Sequence, residues 1–416
     1  MDNKVVRIGV DALDIGMYVT KLDRPWMETP FLLEGLLISS HEEVSQLQAL
    51  CSHVYVDTER GTTPSPQFWS MSDDIDPKET NSAHGEAVFG PNEYTELRSV
   101  TYESTSELNS ELPVAEKKYE QITTDYKLIL EDLKKGKRID IERVQQSVEV
   151  MVDSILRNPS AFVLVKQLRE RAEYSYSHAL GTSVWCATFG RHLGLERNDI
   201  EGLALGGMLL DVGKVKMPAE LINKREALSE DEMELMRSHV DKSVRTLAGN
   251  QSIPNEVFRM VATHHERADG SGYPMGLKNE EIPIFGRIAG IVDSYDAMTT
   301  KRPYRSDVLS PHEAINELHG MKGKIFQAEL VEQFIQAVGL YPTGSLVELS
   351  TGEVAVVIEV NSMRRLRPSI MVLLDSDKKP YEEFKLIDLN EIQEDINVNR
   401  SLPPNAYGIK MQELFL

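Results

Sequence analysis

The chain has 416 residues, 41% hydrophobic and 27% charged, with 45 Lys and Arg against 66 Asp and Glu for a formal net charge of −21. This ordinary soluble composition leaves room for two or three domains, and its acidity excludes broad binding to nucleic-acid polymers or anionic membranes, which require a basic face. The two cysteines, Cys51 and Cys186, provide neither a disulfide framework nor a thiolate metal cluster, which fits a reducing cytoplasm.

The first residues, MDNKVVRIGV, are charged at once and lack the apolar core of a secretory signal. The longest apolar runs, such as VAVVI, are too short to span a bilayer, so no membrane span is expected. Residues 5–24 mix β-branched alternation with a Gly-Met turn and read as short strands. HEEVSQLQAL then reads as a helix and HVYVD as another strand, which makes residues 1–60 a small α+β module. Residues 61–112 are polar and rich in Pro, Ser and Thr, and read as a flexible linker.

Pro113 is expected to open the next helix, with Gly136 as its stop. Asp140 is placed to cap a further helix whose Ile141, Val144, Val148, Met151 and Ile155 recur every three or four residues on one face. Helical patterning continues to about residue 340, with Cys186 as a small core residue in an apolar run. The tail, LVELSTGEVAVVIEV and SIMVLLD, returns to strand character around a Ser-Thr-Gly turn. The expected fold is mainly α: a helical domain over 113–345, the N-terminal α+β module, and a β-rich extension over 346–416.

Within the helical domain, imidazoles and carboxylates recur at His178, Asp211, His239, His264, His265 and Asp293. Singly, each reads as a surface residue or a satisfied core residue. Together they lie in or beside helices with apolar faces, so all could project into one bundle interior, and their chemistry suits first-row metals such as iron, manganese and zinc. Adjacent helical residues point about 100° apart, so His264 and His265 can share a site only at a helix end. HHERADGSGYPMGL supplies that end, with Gly270, Gly272 and Pro274 shaping a loop that presents Tyr273. Asp293 lies on an apolar helix and needs a cationic partner, whereas Asp296 is free to face solvent or cap a turn. Lys301, Arg302 and Arg305 form a small anion-binding cluster beyond that helix.

In order and spacing, EYSYSHALGTSV, LDVGKVKMP, MRSHVDKS, HHERADGSGYP and DSYDAMTTKRPYR resemble the HD-GYP family, a branch of the HD metal-dependent phosphohydrolases. The resemblance spans roughly residues 155–345, and the first 60 residues resemble the small domain often fused to such proteins. It implies an all-α domain with two divalent metal ions, iron or manganese, that hydrolyses the bacterial messenger cyclic di-GMP to linear pGpG, with GMP after a second cut. On that resemblance His178, Asp211, His239, His264, His265 and Asp293 are metal ligands, and Asp211 bridges the ions. Lys214 contacts phosphate and shares the catalytic role with Asp211. Tyr273, Arg302 and Arg305 contact substrate, and signalling proteins are candidate partners through the N-terminal module or the GYP loop.

Two positions depart from the family. Leu210 stands where the name-giving histidine belongs, and Tyr174 stands where three-metal members carry glutamate, which limits the expectation to two metals. The loss at Leu210 leaves two readings: an active but metal-sensitive enzyme, or a catalytically degenerate cyclic di-GMP receptor or signalling scaffold.

Overall fold

The computed structural model describes residues 5–24, 36–38, 41–58, 61–64, 100–169, 174–300, 308–360, 366–392 and 396–410. Two compact units result, one within the first 96 residues and one from residue 97 onward.

In the first unit, strands β1 (Val5–Gly9), β2 (Tyr18–Leu22), β3 (Leu36–Leu37) and β4 (His53–Asp57) form an antiparallel sheet in the order β1-β4-β2-β3. Period-two alternation turns Val6, Ile8, Val54 and Val56 to one face. There they pack with Val44 and Leu47 of helix α1 (His41–Leu50). Gly16 supplies the positive φ, +90°, that the Gly-Met turn requires.

The second unit begins earlier than its sequence suggests. Helix α2 spans Leu108–Lys134, with Pro113 inside it and exposed rather than at its start. The reason is tertiary: Glu111 is buried in the first turn and accepts hydrogen bonds from Arg157 at 2.8 and 2.9 Å and from Ser154. Residues ahead of the helix are also tied down, since Val100 N–H donates to Gly194 and Tyr102 Oη to Leu195. The remainder of the expected linker, residues 65–99, lies outside the described residues.

Helix α3 (Ile141–Arg157) is capped by Asp140, which accepts from Arg143 N–H at 3.1 Å, and its apolar face is buried as the periodicity predicts. Helices α4 (Pro159–Leu168), α5 (Tyr174–Leu193), α6 (Arg197–Leu209), α7 (Glu230–Arg237), α8 (His239–Leu247), α9 (Asn255–Thr263), α10 (Ile284–Thr299), α11 (Pro311–Met321) and α12 (Ala328–Val338) follow. Helices α5 and α10 are buried almost all round, which marks them as central. Trp185, Phe189, Tyr295 and Phe334 meet edge to face between α5, α10 and α12, at centroid distances of 5.2–6.5 Å. Each such side chain contributes roughly 1.5–3 kcal/mol by burial. Cys186 is buried in this core.

The tail folds as a five-stranded antiparallel sheet, β8-β7-β6-β5-β9, from β5 (Leu346–Leu349), β6 (Val354–Glu359), β7 (Ser369–Leu374), β8 (Pro380–Asp388) and β9 (Val398–Ser401). The expected turn between β5 and β6 closes at Gly352, φ +85°. Among the described residues, no helix is long and apolar enough to cross a membrane.

Candidate metal centre

Five helix ends or faces converge on Asp211. Helix α6 stops at Leu209, so Asp211 sits at the head of a following 3₁₀ turn (Val212–Lys216) rather than within the helix. That turn is pressed onto α8: Gly213 N–H donates to Ser243 Oγ at 2.8 Å, and a side chain at Gly213 would collide with the backbone of His239 and Lys242. Only glycine permits the approach, and the approach brings Asp211 Oδ1 to 3.2 Å from His239 Nε2. Helix α9 ends at Thr263, so His264 and His265 are at the helix terminus that lets both rings turn to one side, 4.1 Å apart between centroids.

Asp211, His239, His264 and His265 each offer a ligand atom, all within 4.8 Å of one another. Two backbone bonds select which nitrogen each buried ring offers. His239 Nδ1 donates to the Met236 carbonyl and His264 Nδ1 to that of Val261, each at 2.8 Å, so in both rings Nε2 carries the lone pair. Both Nε2 atoms are buried without a hydrogen-bond partner. Buried orphans of this kind are rare. An Nε2 lone pair facing a carboxylate oxygen at 3.2 Å calls for a cation or a proton between them, so the donor set fits a divalent metal. Burial depresses His264 to about 4 and pushes His265 well below its ordinary value, which keeps both imidazoles neutral and able to ligate.

Asp211 also faces a second group. His178, near the start of α5, points Nε2 at Asp293 Oδ1, 3.0 Å away, and at Asp211 Oδ2, 3.6 Å away. Its Nδ1 meets Asp296 Oδ2 at 2.8 Å. Burial opposes protonation of His178, but hydrogen bonds to Asp293 and Asp296 outweigh it and raise the ring to about 9. In this state a proton occupies the gap between His178 and the carboxylates. Burial likewise works against ionisation of Asp293 and Asp211. His178 nevertheless holds Asp293 well below the usual carboxylate range, and Lys214 does the same for Asp211. Asp293 thus finds its cationic partner in His178.

Asp296 faces neither solvent nor a turn. It is fully buried, and Lys166 Nζ lies 2.9 Å from its Oδ1. The sequence carried two signals of this: a single lysine inside the apolar run AFVLVKQL, and the three-residue spacing that sets Asp296 on the face of Asp293. Glu266, third residue of HHE, was also missed as a functional residue. It accepts from Met275 N–H at 2.7 Å and Leu277 N–H at 3.0 Å, pinning the loop that carries Tyr273.

Tyr273 stacks on His265 with centroids 4.6 Å apart and 29° between planes, and the Arg237 guanidinium lies 5.3 Å from the Tyr273 ring centroid. Lys214 Nζ reaches Asp211 Oδ2 at 2.5 Å. Leu210 is buried at 2% exposure, as are Leu203 and Leu209. Arg302, Arg305 and the Tyr174 side chain lie outside the described residues.

Residues 156–330 match the HD domain family model. That stretch is the part of the chain similar to the HD domain. Two further models flank the HD domain: a domain of unknown function over residues 5–144 and a KOW domain associated with HD domains over residues 346–409. Across 97% of this chain and 94% of the relative, the sequence is 27% identical to a cyclic di-GMP phosphodiesterase of Pseudomonas aeruginosa. It is 32% identical to a cyclic di-GMP phosphodiesterase of Thermotoga maritima over 42% of this chain and 46% of that one. It is also 32% identical to a 3'3'-cGAMP-specific phosphodiesterase of Vibrio cholerae, over 46% of this chain and 37% of the relative. The chain thus spans under half the length of the last two. The resemblance read from the motifs holds, and with it the mainly helical fold. The HD domain is a metal-dependent hydrolase fold, and a histidine–aspartate cluster is present among the described residues.

Proposed function

We propose that this chain is a metal-dependent phosphodiesterase that hydrolyses cyclic di-GMP to linear pGpG. The observation that carries the reading is the convergence of Asp211, His239, His264 and His265 within 4.8 Å. The similarity to a cyclic di-GMP phosphodiesterase along nearly the whole chain supports the choice of substrate.

Two divalent cations, iron or manganese, would be held by this group and by the trio His178, Asp293 and Asp211. When bound, such cations supply Lewis acidity, lowering the pKa of water and offsetting phosphate charge. The protein's own residues do the rest. Asp211 turns one oxygen to each group and so ties the two subsites together. Lys214, half-exposed beside Asp211, places a cation where a phosphate oxygen would lie. The backbone-bonded imidazoles are held in one tautomer, so their lone pairs need no reorganisation. Tyr273, stacked on His265 and close to Arg237, places a phenol and a guanidinium beside the cluster for contact with substrate. Arg302 and Arg305 complete the substrate contacts in this proposal.

One observation favours a second reading. Buried Leu210 leaves the His178 subsite without the family histidine, so a cyclic di-GMP receptor with weakened chemistry is the alternative. Metal content and turnover, measured on protein prepared anaerobically, separate the two. The enzyme reading expects bound metal and conversion of cyclic di-GMP, both lost in the His264→Ala/His265→Ala variant with helicity unchanged. Tight cyclic di-GMP binding without turnover at any metal concentration would establish the receptor. Full metal retention by the double variant would remove the proposed site.

A further inference from the structure

Behind the cluster lies a pair of charges with no direct part in holding metal or substrate. Lys166 on α4 and Asp296 on α10 are both wholly buried and meet at 2.9 Å. Asp296 spends its other oxygen on His178 Nδ1, at 2.8 Å, and that oxygen also accepts from Thr300 Oγ1 at 3.1 Å. The space for the pair is made by Gly181 on α5, one turn beyond His178. A side chain there would run into Asp296 Oδ1 and would meet Lys166 Cε at 2.9 Å.

Stability alone is a weak reason to keep such a pair. Taking two ions out of water costs several kcal/mol each, and well-packed apolar replacements are often as stable or more so. Its geometry supplies a better one. A carboxylate on Nδ1 fixes the ring's rotation and turns the Nε2 lone pair to the opposite side, where Asp293 and Asp211 wait. An uncompensated Asp296 would put a third buried negative charge beside those two carboxylates, and Lys166 offsets it locally.

We propose that Lys166 and Asp296 are positioning residues: a charge-neutral buried brace that aims His178 Nε2 into the second cation subsite. The inference rests on the reading of His178 as a metal ligand. It bears on this chain in particular because Leu210 offers no imidazole to the same subsite, so the aim of His178 carries more of the remaining affinity.

Titration of the metal-free full-length chain with Mn²⁺ tests the brace, using two variants that avoid a stranded buried charge. Lys166→Met/Asp296→Leu removes both charges and the acceptor for Nδ1, whereas Lys166→Met/Asp296→Asn removes the charges and keeps an acceptor. The wild type is expected to bind in two steps. The Leu variant should weaken the weaker step about 10- to 100-fold and leave the tighter step unchanged. The Asn variant should recover most of that loss, and circular dichroism should be unaltered in both. Equal Mn²⁺ binding by all three proteins, or equal weakening in both variants with a common loss of stability, would make the pair merely structural and overturn the inference. A wild type with a single step would overturn it while sparing the four-donor site, and a wild type that binds no Mn²⁺ would overturn the metal reading itself.

Discussion

At the scale of single residues, Leu210 and His178 set what this site can do. Leu210→His restores a donor beside Asp211 at nearly constant bulk, which cores tolerate best. On the proposed enzyme reading, metal occupancy and turnover at limiting metal should rise several-fold and the gain should vanish at saturating metal, because that reading has only affinity impaired; on the receptor reading, turnover would appear only in the variant. Elemental analysis across a metal titration reads this directly. A less stable variant with no gain in metal would mean that the position belongs wholly to the apolar face of Leu203 and Leu209. His178 makes the pH prediction. Its ring titrates at about 9 in the metal-free fold, above the unfolded value of 6.5. Its contribution, up to roughly 3 kcal/mol, is therefore complete below 6.5 and is lost as pH rises through 9. Urea unfolding of metal-free protein at pH 6 and 9.5 should show that loss, and His178→Gln should abolish it. Metal must displace the same proton, so affinity at this subsite should climb across the same window.

Among the elements, the loop after α9 is the one whose shape the site depends on. Two devices hold it: Glu266 grips the amides of Met275 and Leu277, and Gly272 passes so close to His265 that a side chain would meet its carbonyl oxygen at 2.5 Å. Glu266→Ala strands two amides and should cost roughly 2–3 kcal/mol. Tyr273 should lose its seat on His265, so cyclic di-GMP affinity should fall at unchanged metal content. Calorimetry with the nucleotide, paired with metal analysis, checks both; metal lost in step with affinity would assign Glu266 to the metal instead. Helix boundaries illustrate the limit of local reading. Asp140 caps where its type and position predict, because a cap is a contact within four residues. The start of α2 was misplaced because the pull on its first turn comes from Arg157, 46 residues away.

For the second unit as a whole, Asn158 joins the parts. It caps α4 by accepting from Ser160 and Ala161, and its amide donates to Ser106 at 3.1 Å and to Glu359 of the C-terminal sheet at 3.2 Å. Asn158→Ala removes a cap and two part-buried bonds at once. A loss of about 2–3 kcal/mol is expected, seen as a lower urea midpoint. An unchanged midpoint would mean that the sheet is held to the helices by apolar packing alone.

The sequence by itself determined the mainly helical fold, the strands toward both ends, and the placing of His264 and His265 at a helix terminus. Each follows from local periodicity, capping and glycine punctuation, which act over a few residues. It also supplied the candidate ligands, since the motifs occur in a recognisable order. Only the tertiary structure decided how those candidate donors divide: the three imidazoles of His239, His264 and His265 on one side of Asp211, and His178 with Asp293 on the other. His178 and Asp293 are 115 residues apart, and periodicity states which face a residue occupies, not what that face meets. The same limit hid the roles of Lys166, Asp296 and Glu266. Each is a charged residue whose partners are brought to it by packing, and those partners make its burial possible.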